Sequence, residues 1–281
     1  MTEKIVVGVT EASGSRRAVD WAAARAIARD QHLELLSVIG GAIGAVGEGG
    51  VLAAARAATE ELLQEEAARI AADGLTVTTR VESGNPVTVL DGASQTAALL
   101  VIGSDYRGPG EGPARGSHGI RIAAASASPV VVVPDFEITG ERSGVVVGVD
   151  GSPTSEAAIA FAAAEADRLG EPLTAIIVWT PIATPRNALM VVPQAYREGM
   201  EQNAREALAL SIAGLRSQYP GIEIEEAVAE GFPSAVINEL AESARLTVVG
   251  SRGFGAVRRL LLGSISHEVL QRLATVTAVV R

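Results

Sequence analysis

The residues with the clearest chemical reading are Gly250-Ser-Arg-Gly253 and, after nine intervening residues, Gly263-Ser264. The apolar run Leu246-Thr-Val-Val249 before them reads as a buried parallel strand, and the stretch from Ser264 through Ile265 and Ser266 to Leu273 as an amphipathic helix. A strand, a glycine-bearing loop and a helix opening at Gly263-Ser264 make an anion site. The free N–H groups of a helix start point at the ligand, and the helix dipole favours negative charge there. The glycines are expected to supply positive φ and close backbone approach. Ser264 is expected to cap the helix or to give its hydroxyl to a phosphate oxygen, while Arg252, Arg258 and Arg259 add cationic reach. Without a ligand, the same stretch is a tight turn into a capped helix.

A second group of polar residues, Asp150-Gly-Ser152, follows the apolar run Val145-Val-Val-Gly148-Val149. A carboxylate in that place suits hydroxyl or amine donors and repels phosphate, so Asp150 is expected to face away from the Gly253 loop. Its plain structural reading is a turn residue accepting a hydrogen bond from Ser152.

These groups sit in a chain that is one unit written twice. Ile5–Val9 is repeated at Val145–Val149, the helix Ser15–Ala28 (Ala18, Trp21 and Ala22 inward) at Ser155–Arg168, and the strand Leu33–Ile39 at Leu173–Trp179, all at an offset of 140. Beyond the dissimilar loops Gly40–Gly50 and Thr180–Gln194 the offset becomes 147, pairing Gly84 with Gly231, Pro86 with Pro233, Gly103 with Gly250 and Gly116-Ser117 with Gly263-Ser264. A constant offset on both sides of one insertion indicates tandem duplication. Each copy continues with a long helix (51–72; 194–217), a strand (75–81; 222–229), a helix (86–97; 233–243), a strand (98–102; 245–249), the loop with its helix, and a last strand. The domains are expected at residues 1–138 and 143–281, with a polar linker around 135–143. Strands alternating with helices imply a parallel α/β sheet in each half, with right-handed crossovers.

Composition narrows the function classes. The 281 residues are long enough for two domains and 48% hydrophobic, so each half can build a core. Aromatic residues are 3% and the net charge is −10, which argues against nucleic acid and membrane surfaces as partners. There is no cysteine, and Lys4 is the only lysine, so a P-loop lysine is absent. No leader or membrane-length apolar run is evident, and a cytoplasmic location is expected.

The spacing Gly250, two residues, Gly253, nine residues, Gly263-Ser264 resembles the ATP-binding signature of the universal stress protein family, and the whole chain resembles a tandem member of it. The resemblance implies two Rossmann-like domains, each a five-stranded parallel sheet of order 3-2-1-4-5 with helices on both faces. In that order the winding reverses between strands one and four, and a ligand sits outside the strand ends at such a point. Carried over residue by residue, it places the nucleotide against Gly148, Val149, Asp150, Val178, Val249, Gly250, Arg252, Gly253, Gly263, Ser264, Ile265 and Ser266. Asp150 would take the adenosine part, the Val178 backbone the adenine, and the glycines with Ser264 the phosphates. The cofactor implied is ATP, with or without Mg; no metal site of the protein's own and no catalytic residue is implied.

The first copy departs from the pattern. Thr10 stands where Asp150 does, Glu11-Ala12 replaces Gly151-Ser152, and Tyr106 stands where Gly253 does. Thr10, Val38, Gly103, Gly116 and Ser117 are left as a weak second site, with Arg107, Arg115 and His118 as anion-attracting neighbours. The family also implies dimerisation through the last strand. Here Val130–Val133 and Val276–Val280 would pair within the chain as a pseudo-dimer, with a homodimer as the intermolecular variant.

No nucleophile–base pair is evident, and His32, His118 and His267 do not fall at matching positions in the two copies. The leading expectation is therefore a non-catalytic or barely hydrolytic adenine-nucleotide binder with a regulatory role in stress. A slow ATPase or adenylyl-transfer enzyme, and a binder of cyclic AMP, are the alternatives.

Overall fold

The structure, a computed structural model, describes residues 3–40, 48–72, 74–104, 117–136, 140–181, 193–253 and 262–281. The chain divides into two compact units, Met1–Glu137 and Ile138–Arg281.

The first unit runs β1 (Lys4–Gly8), α1 (Ser13–Arg29), β2 (His32–Ile39), α2 (Glu48–Arg69), β3 (Val77–Ser83), α3 (Pro86–Ser94), β4 (Leu99–Gly103), α4 (Ser117–Ala125) and β5 (Val130–Val133). Its strands are ordered β3-β2-β1-β4-β5 and are parallel throughout. The second unit repeats this with β6 (Val145–Val149), α5 (Pro153–Leu169), β7 (Leu173–Trp179), α6 (Gln194–Ser211), α7 (Leu215–Gln218), β8 (Ile224–Glu230), α8 (Pro233–Ala241), β9 (Leu246–Gly250), α9 (Ser264–Gln271) and β10 (Val276–Val280). Its parallel order is β8-β7-β6-β9-β10. Both are the 3-2-1-4-5 winding.

The central strands are buried on both faces, which is why they are apolar without alternation. Ile5, Val6, Val7, Leu99, Leu100 and Val101 are all wholly inaccessible. α1 and α5 lay alanine-rich faces on the sheet. Ala18 and Ala22 in one, Ala158 and Ala162 in the other, are fully buried, so helix and sheet approach closely. Both helices end on a left-handed residue, Asp30 (φ 50°) and Gly170 (φ 65°), whose N–H closes back on the last carbonyls.

One helix differs from expectation. The segment expected as a single helix over 194–217 is broken after Ser211 into α6 and α7, because Gly214 takes φ 86°, a left-handed conformation no helix continues through. Of the loops, residues 41–47 and 182–192 lie outside the described residues, as do 137–139 of the linker.

Lys4 forms an ion pair with Glu34 at 2.6 Å, and Arg80 meets the other oxygen of Glu34 at 2.5 Å. Burial pushes the Glu34 carboxyl up, but hydrogen bonds and positive charge from Lys4 and Arg80 outweigh it and hold the group below the usual glutamate range. The counterparts in the second copy are Gly144, Thr174 and Ala227, so this network belongs to the first unit alone. Among the described residues no helix is long and apolar enough to cross a membrane.

Candidate functional site

In the second unit β6 lies between β7 and β9, paired with β7 as far as Val149↔Ile177 and with β9 through Val147↔Val248. β9 continues to β10 on its other side. The winding thus reverses between β6 and β9, and the loops leaving their carboxyl ends diverge to opposite faces of the sheet, opening a crevice.

One wall is the turn from β6 into α5. Gly151 takes φ 80°. The N–H of Ser152 donates to Asp150 Oδ1 at 2.9 Å, the N–H of Ser155 to Ser152 Oγ at 3.2 Å, and the N–H of Asp150 to Ser155 Oγ at 3.2 Å. Ser152 is thereby the cap of α5. The turn reading of Asp150 is borne out, but it uses only one carboxylate oxygen. The other, Oδ2, faces Gly253 so closely that a methyl group on that glycine would overlap it. The expectation that this carboxylate turns away from the loop is therefore wrong. Its Oδ1 is held by the Ser152 N–H, and that bond swings Oδ2 across the crevice into the space left by the missing Cβ.

The opposite wall is the segment between β9 and α9. None of Gly250, Gly253 and Gly263 is among the glycines with positive φ, and Gly263 sits at φ −61°, ψ 153°. The expected left-handed backbone is absent; close approach explains these glycines instead. A Cβ on Gly250 would lie 3.2 Å from the Arg252 carbonyl oxygen and 3.3 Å from the Thr154 carbonyl, and one on Gly263 would lie 3.3 Å from Arg252 Cα. The segment is pinned by the Ser251 N–H donating to the Val280 carbonyl at 2.6 Å and the Gly263 N–H donating to the Ser251 carbonyl at 2.8 Å.

Gly263, not Ser264, is the cap residue of α9, and no side chain caps that helix. The first bond of its ladder runs from the His267 N–H to the Gly263 carbonyl at 2.9 Å. The N–H groups of Ser264, Ile265 and Ser266 precede it and are the donors a helix start offers to an anion. Ser264 is exposed, at the mouth of the crevice. Ser266 is buried, with its hydroxyl donating to the Gly250 carbonyl at 2.5 Å. It ties α9 to β9 and has only its N–H left for a ligand. The same carbonyl contact pins Gly250 from inside, a role its spacing did not reveal.

The end of β7 completes the crevice. The Trp179 carbonyl accepts from the Gly231 N–H at 3.0 Å on the β8 side, so by the alternation of a strand Val178 turns its N–H and C=O toward β6. The β6 ladder stops at Val149↔Ile177, which puts the Val178 carbonyl just past the last paired position. Val149 and Val249 are buried below, at 6% and 3% exposure. Gly148 has a packing reason for being glycine: a Cβ there would come within 2.9 Å of Ile237 Cδ1 on α8.

The first unit builds the same turn without the carboxylate. The Thr10 N–H donates to Ser15 Oγ at 2.9 Å and the Ala12 N–H to Thr10 Oγ1 at 3.3 Å, so a hydroxyl does the work of Asp150 Oδ1 and threonine has no second oxygen to reach across. Val38 on β2 occupies the place of Val178, paired on its outer side with Glu82 of β3. Gly103 packs hard against α1, with Gly14 carbonyl atoms 2.5 Å from where its Cβ would be. Ser117 begins α4 and His118 is exposed. Tyr106, Arg107, Arg115 and Gly116, like Arg258 and Arg259 of the second copy, lie outside the described residues. Sequence reasoning missed Ser155, although its counterpart Ser15 repeats at the same offset and both hydroxyls accept from the residue after strand one.

The second unit therefore gathers free helix N–H groups, one carboxylate oxygen and one strand carbonyl around a single crevice with an apolar floor. That set can hold an anion at one end and hydroxyl or amine donors at the other. Among the described residues no three His, Cys, Asp or Glu side chains gather to hold a metal ion.

The sequence profile of the universal stress protein family matches residues 1–134 and again residues 142–281. A universal stress protein of Mycolicibacterium smegmatis is 33% identical over 288 residues, covering 99% of this chain and 96% of that one. Another, from Mycobacterium tuberculosis, is 32% identical, covering 95% and 91%. In fold, the chain resembles the crystal structure of a universal stress protein from Archaeoglobus fulgidus, with a TM-score of 0.70, 21% identity, and coverage of 98% of this chain and 95% of that one. Two profile matches along one chain, a duplicated winding and relatives matched over more than nine tenths of their length place this protein in the universal stress protein family as a member carrying two copies of the family domain.

Proposed function

We propose that the second unit binds one adenine nucleotide, with ATP as the ligand, and that the protein is a non-catalytic regulator in the stress response of the cytoplasm. The observation that supports this most is the convergence of Asp150 Oδ2, the α9 N-terminus and the Val178 carbonyl on one crevice. The phosphates take the N–H groups of Ser264, Ile265 and Ser266, with Arg252 adding charge. Asp150 Oδ2 accepts from the ribose hydroxyls, which stand between phosphates and base. The Val178 carbonyl accepts from the adenine amine. A Mg ion travelling with the nucleotide would meet Asp150 Oδ2 and otherwise phosphate oxygens and water, a donor set that Mg accepts.

Titration calorimetry is expected to show one site per chain, in the second unit, because Thr10 replaces the carboxylate in the first. Two equivalent sites, or none, overturn the proposal. The orientation of Asp150 favours a second reading. A carboxylate facing the phosphate loop could orient a water, making the protein a slow ATPase, and ADP accumulation that is lost in Asp150→Asn would identify it. Cyclic AMP, titrated beside ATP and AMP, tests whether the pocket prefers a single phosphate.

The proposal extends to assembly. In β10 the Val280 carbonyl accepts from Ser251, so Val280 faces β9 and Val279 turns its N–H to the outer edge. Val279→Pro removes that outer donor and leaves the β9 ladder in place. An apolar outer edge of this kind needs a partner. We propose the antiparallel pairing of Val276–Val280 with Val130–Val133, within the chain or in a homodimer, on the strength of the sequence pattern. Val279→Pro is then expected to aggregate or to lose compactness in size-exclusion chromatography. An unchanged elution and melting temperature would reject the pairing.

A further inference from the structure

The internal duplication supplies a reference for every position, and one departure is unexplained by the fold. Asn85 caps α3, its side-chain oxygen accepting from the N–H groups of Val87 at 2.9 Å and Thr88 at 3.4 Å. Its counterpart, one residue ahead of Pro233, is Phe232. The backbone is the same in both places. The cap residues have φ −79°, ψ 121° and φ −88°, ψ 118°, each follows a glycine at positive φ (Gly84, 143°; Gly231, 158°), and each helix begins with proline. Yet α8 has no side-chain cap, and Phe232 is 73% exposed. The second copy has exchanged a satisfied helix cap for a large apolar ring in water, which favours the fold on neither count.

The ring's place in the unit suggests what covers it. Phe232 follows Gly231, which is bound to the end of β7 twice, through its N–H to the Trp179 carbonyl at 3.0 Å and through its own carbonyl, which accepts from Thr180 Oγ1 at 2.6 Å. It therefore stands at the carboxyl end of β8, next to the end of β7 and on the side of that strand away from β6. From β9, where α9 offers its N–H groups, across β6 and β7 to the end of β8 is three strand spacings, about 14 Å. That is the reach of an extended nucleoside triphosphate from its outer phosphate to the far side of its base.

We propose that Phe232 is the base-stacking residue of the site and makes it selective for purine nucleotides, an inference that rests on the nucleotide-binding reading above. An aromatic face binds a purine ring better than the smaller pyrimidine and adds to the amine contact at Val178 without competing for it.

The test compares the wild type with Phe232→Asn, the residue of the first copy, and with Phe232→Trp, in calorimetric titrations with ATP, UTP and inorganic tripolyphosphate. Phe232→Asn is expected to melt at the same or a higher temperature without ligand, because the cap is restored. It should bind ATP at least tenfold more weakly, a change of about 1.4 kcal/mol, while tripolyphosphate affinity stays the same and the preference for ATP over UTP shrinks. Phe232→Trp should retain ATP affinity. Undiminished ATP binding by folded Phe232→Asn overturns the stacking role and leaves the nucleotide reading standing. Equal losses for ATP and tripolyphosphate overturn it as well, since they mark a displaced helix. A wild type that binds none of the three removes the nucleotide reading itself, and the inference with it.

Discussion

Gly253→Tyr is expected to lower ATP affinity by more than tenfold, at least 1.4 kcal/mol, in a protein that remains folded. The substitution copies Tyr106 of the first unit into the second. The cause is not backbone strain, because Gly253 is not in the left-handed region. It is occupancy: the new Cβ would overlap Asp150 Oδ2, and the ring beyond it must fill the crevice or push the carboxylate out. Either way the ribose acceptor and the phosphate space are lost together. Asp150→Thr separates these losses. A threonine can still accept from the Ser152 N–H, as Thr10 does from the Ala12 N–H at 3.3 Å, so the turn survives while the reach across the crevice is lost. Asp150→Thr should weaken ATP and AMP alike, whereas Gly253→Tyr should cost more for ATP than for AMP. The double substitution relieves the overlap and should still fail to bind. If calorimetry finds undiminished ATP affinity in folded Gly253→Tyr, the phosphates do not lie on this loop.

The offsets of 140 and 147 let each element of one copy be checked against the other, and long apolar strands between alanine-faced helices leave little choice of architecture. The strand order did not follow from those patterns; it came with the family resemblance carried by Gly250, Gly253, Gly263 and Ser264. That the named positions fall at the carboxyl ends of β6, β7 and β9 and at the start of α9 was legible, whereas the geometry of Asp150 and of the glycines was misread. Which way Asp150 points depends on one hydrogen bond to Ser152 and on empty space at Gly253, a residue distant in sequence. Whether a glycine serves a positive φ or a close approach depends on what stands opposite, Thr154 for Gly250 and Arg252 for Gly263. The division of labour between Ser264 at the mouth and Ser266 bound to the Gly250 carbonyl is set by helix phase at a terminus, where sequence patterns are least decisive. Phe232 escaped notice for a related reason. One phenylalanine before a proline carries no pattern, and it becomes conspicuous only when its exposure and the cap at Asn85 are seen together.

The same internal comparison predicts an unequal response to two equivalent substitutions. Gly103→Ala is expected to destabilise the first unit strongly, while Gly250→Ala disturbs the second far less. At Gly103 an added Cβ would lie 2.5 Å from the carbonyl carbon and oxygen of Gly14 and 2.7 Å from the Ser15 nitrogen. These are backbone atoms of the first turn of α1, and they have little freedom to retreat. The Ser15 N–H is bound to the Ala12 carbonyl at 3.0 Å and Ser15 Oγ to the Thr10 N–H at 2.9 Å. Gly14 is itself hemmed in, since a Cβ there would meet the Ser104 carbonyl oxygen at 2.7 Å and Asp135 Cβ at 3.0 Å. At Gly250 the closest atoms are 3.2 Å and 3.3 Å away, distances a small shift can relieve. Overpacking of the first kind costs about 1–3 kcal/mol and occasionally more, and α1 must tilt away from β4 to accept it. Denaturant unfolding should show the larger loss for Gly103→Ala, and hydrogen exchange should place that loss in α1, β1 and β4. The nucleotide affinity of the second unit should be untouched by Gly103→Ala. A loss at Gly250→Ala equal to or greater than that at Gly103→Ala would mean that contact with the first turn of α1 or α5 is not what requires glycine at the end of β4 and β9.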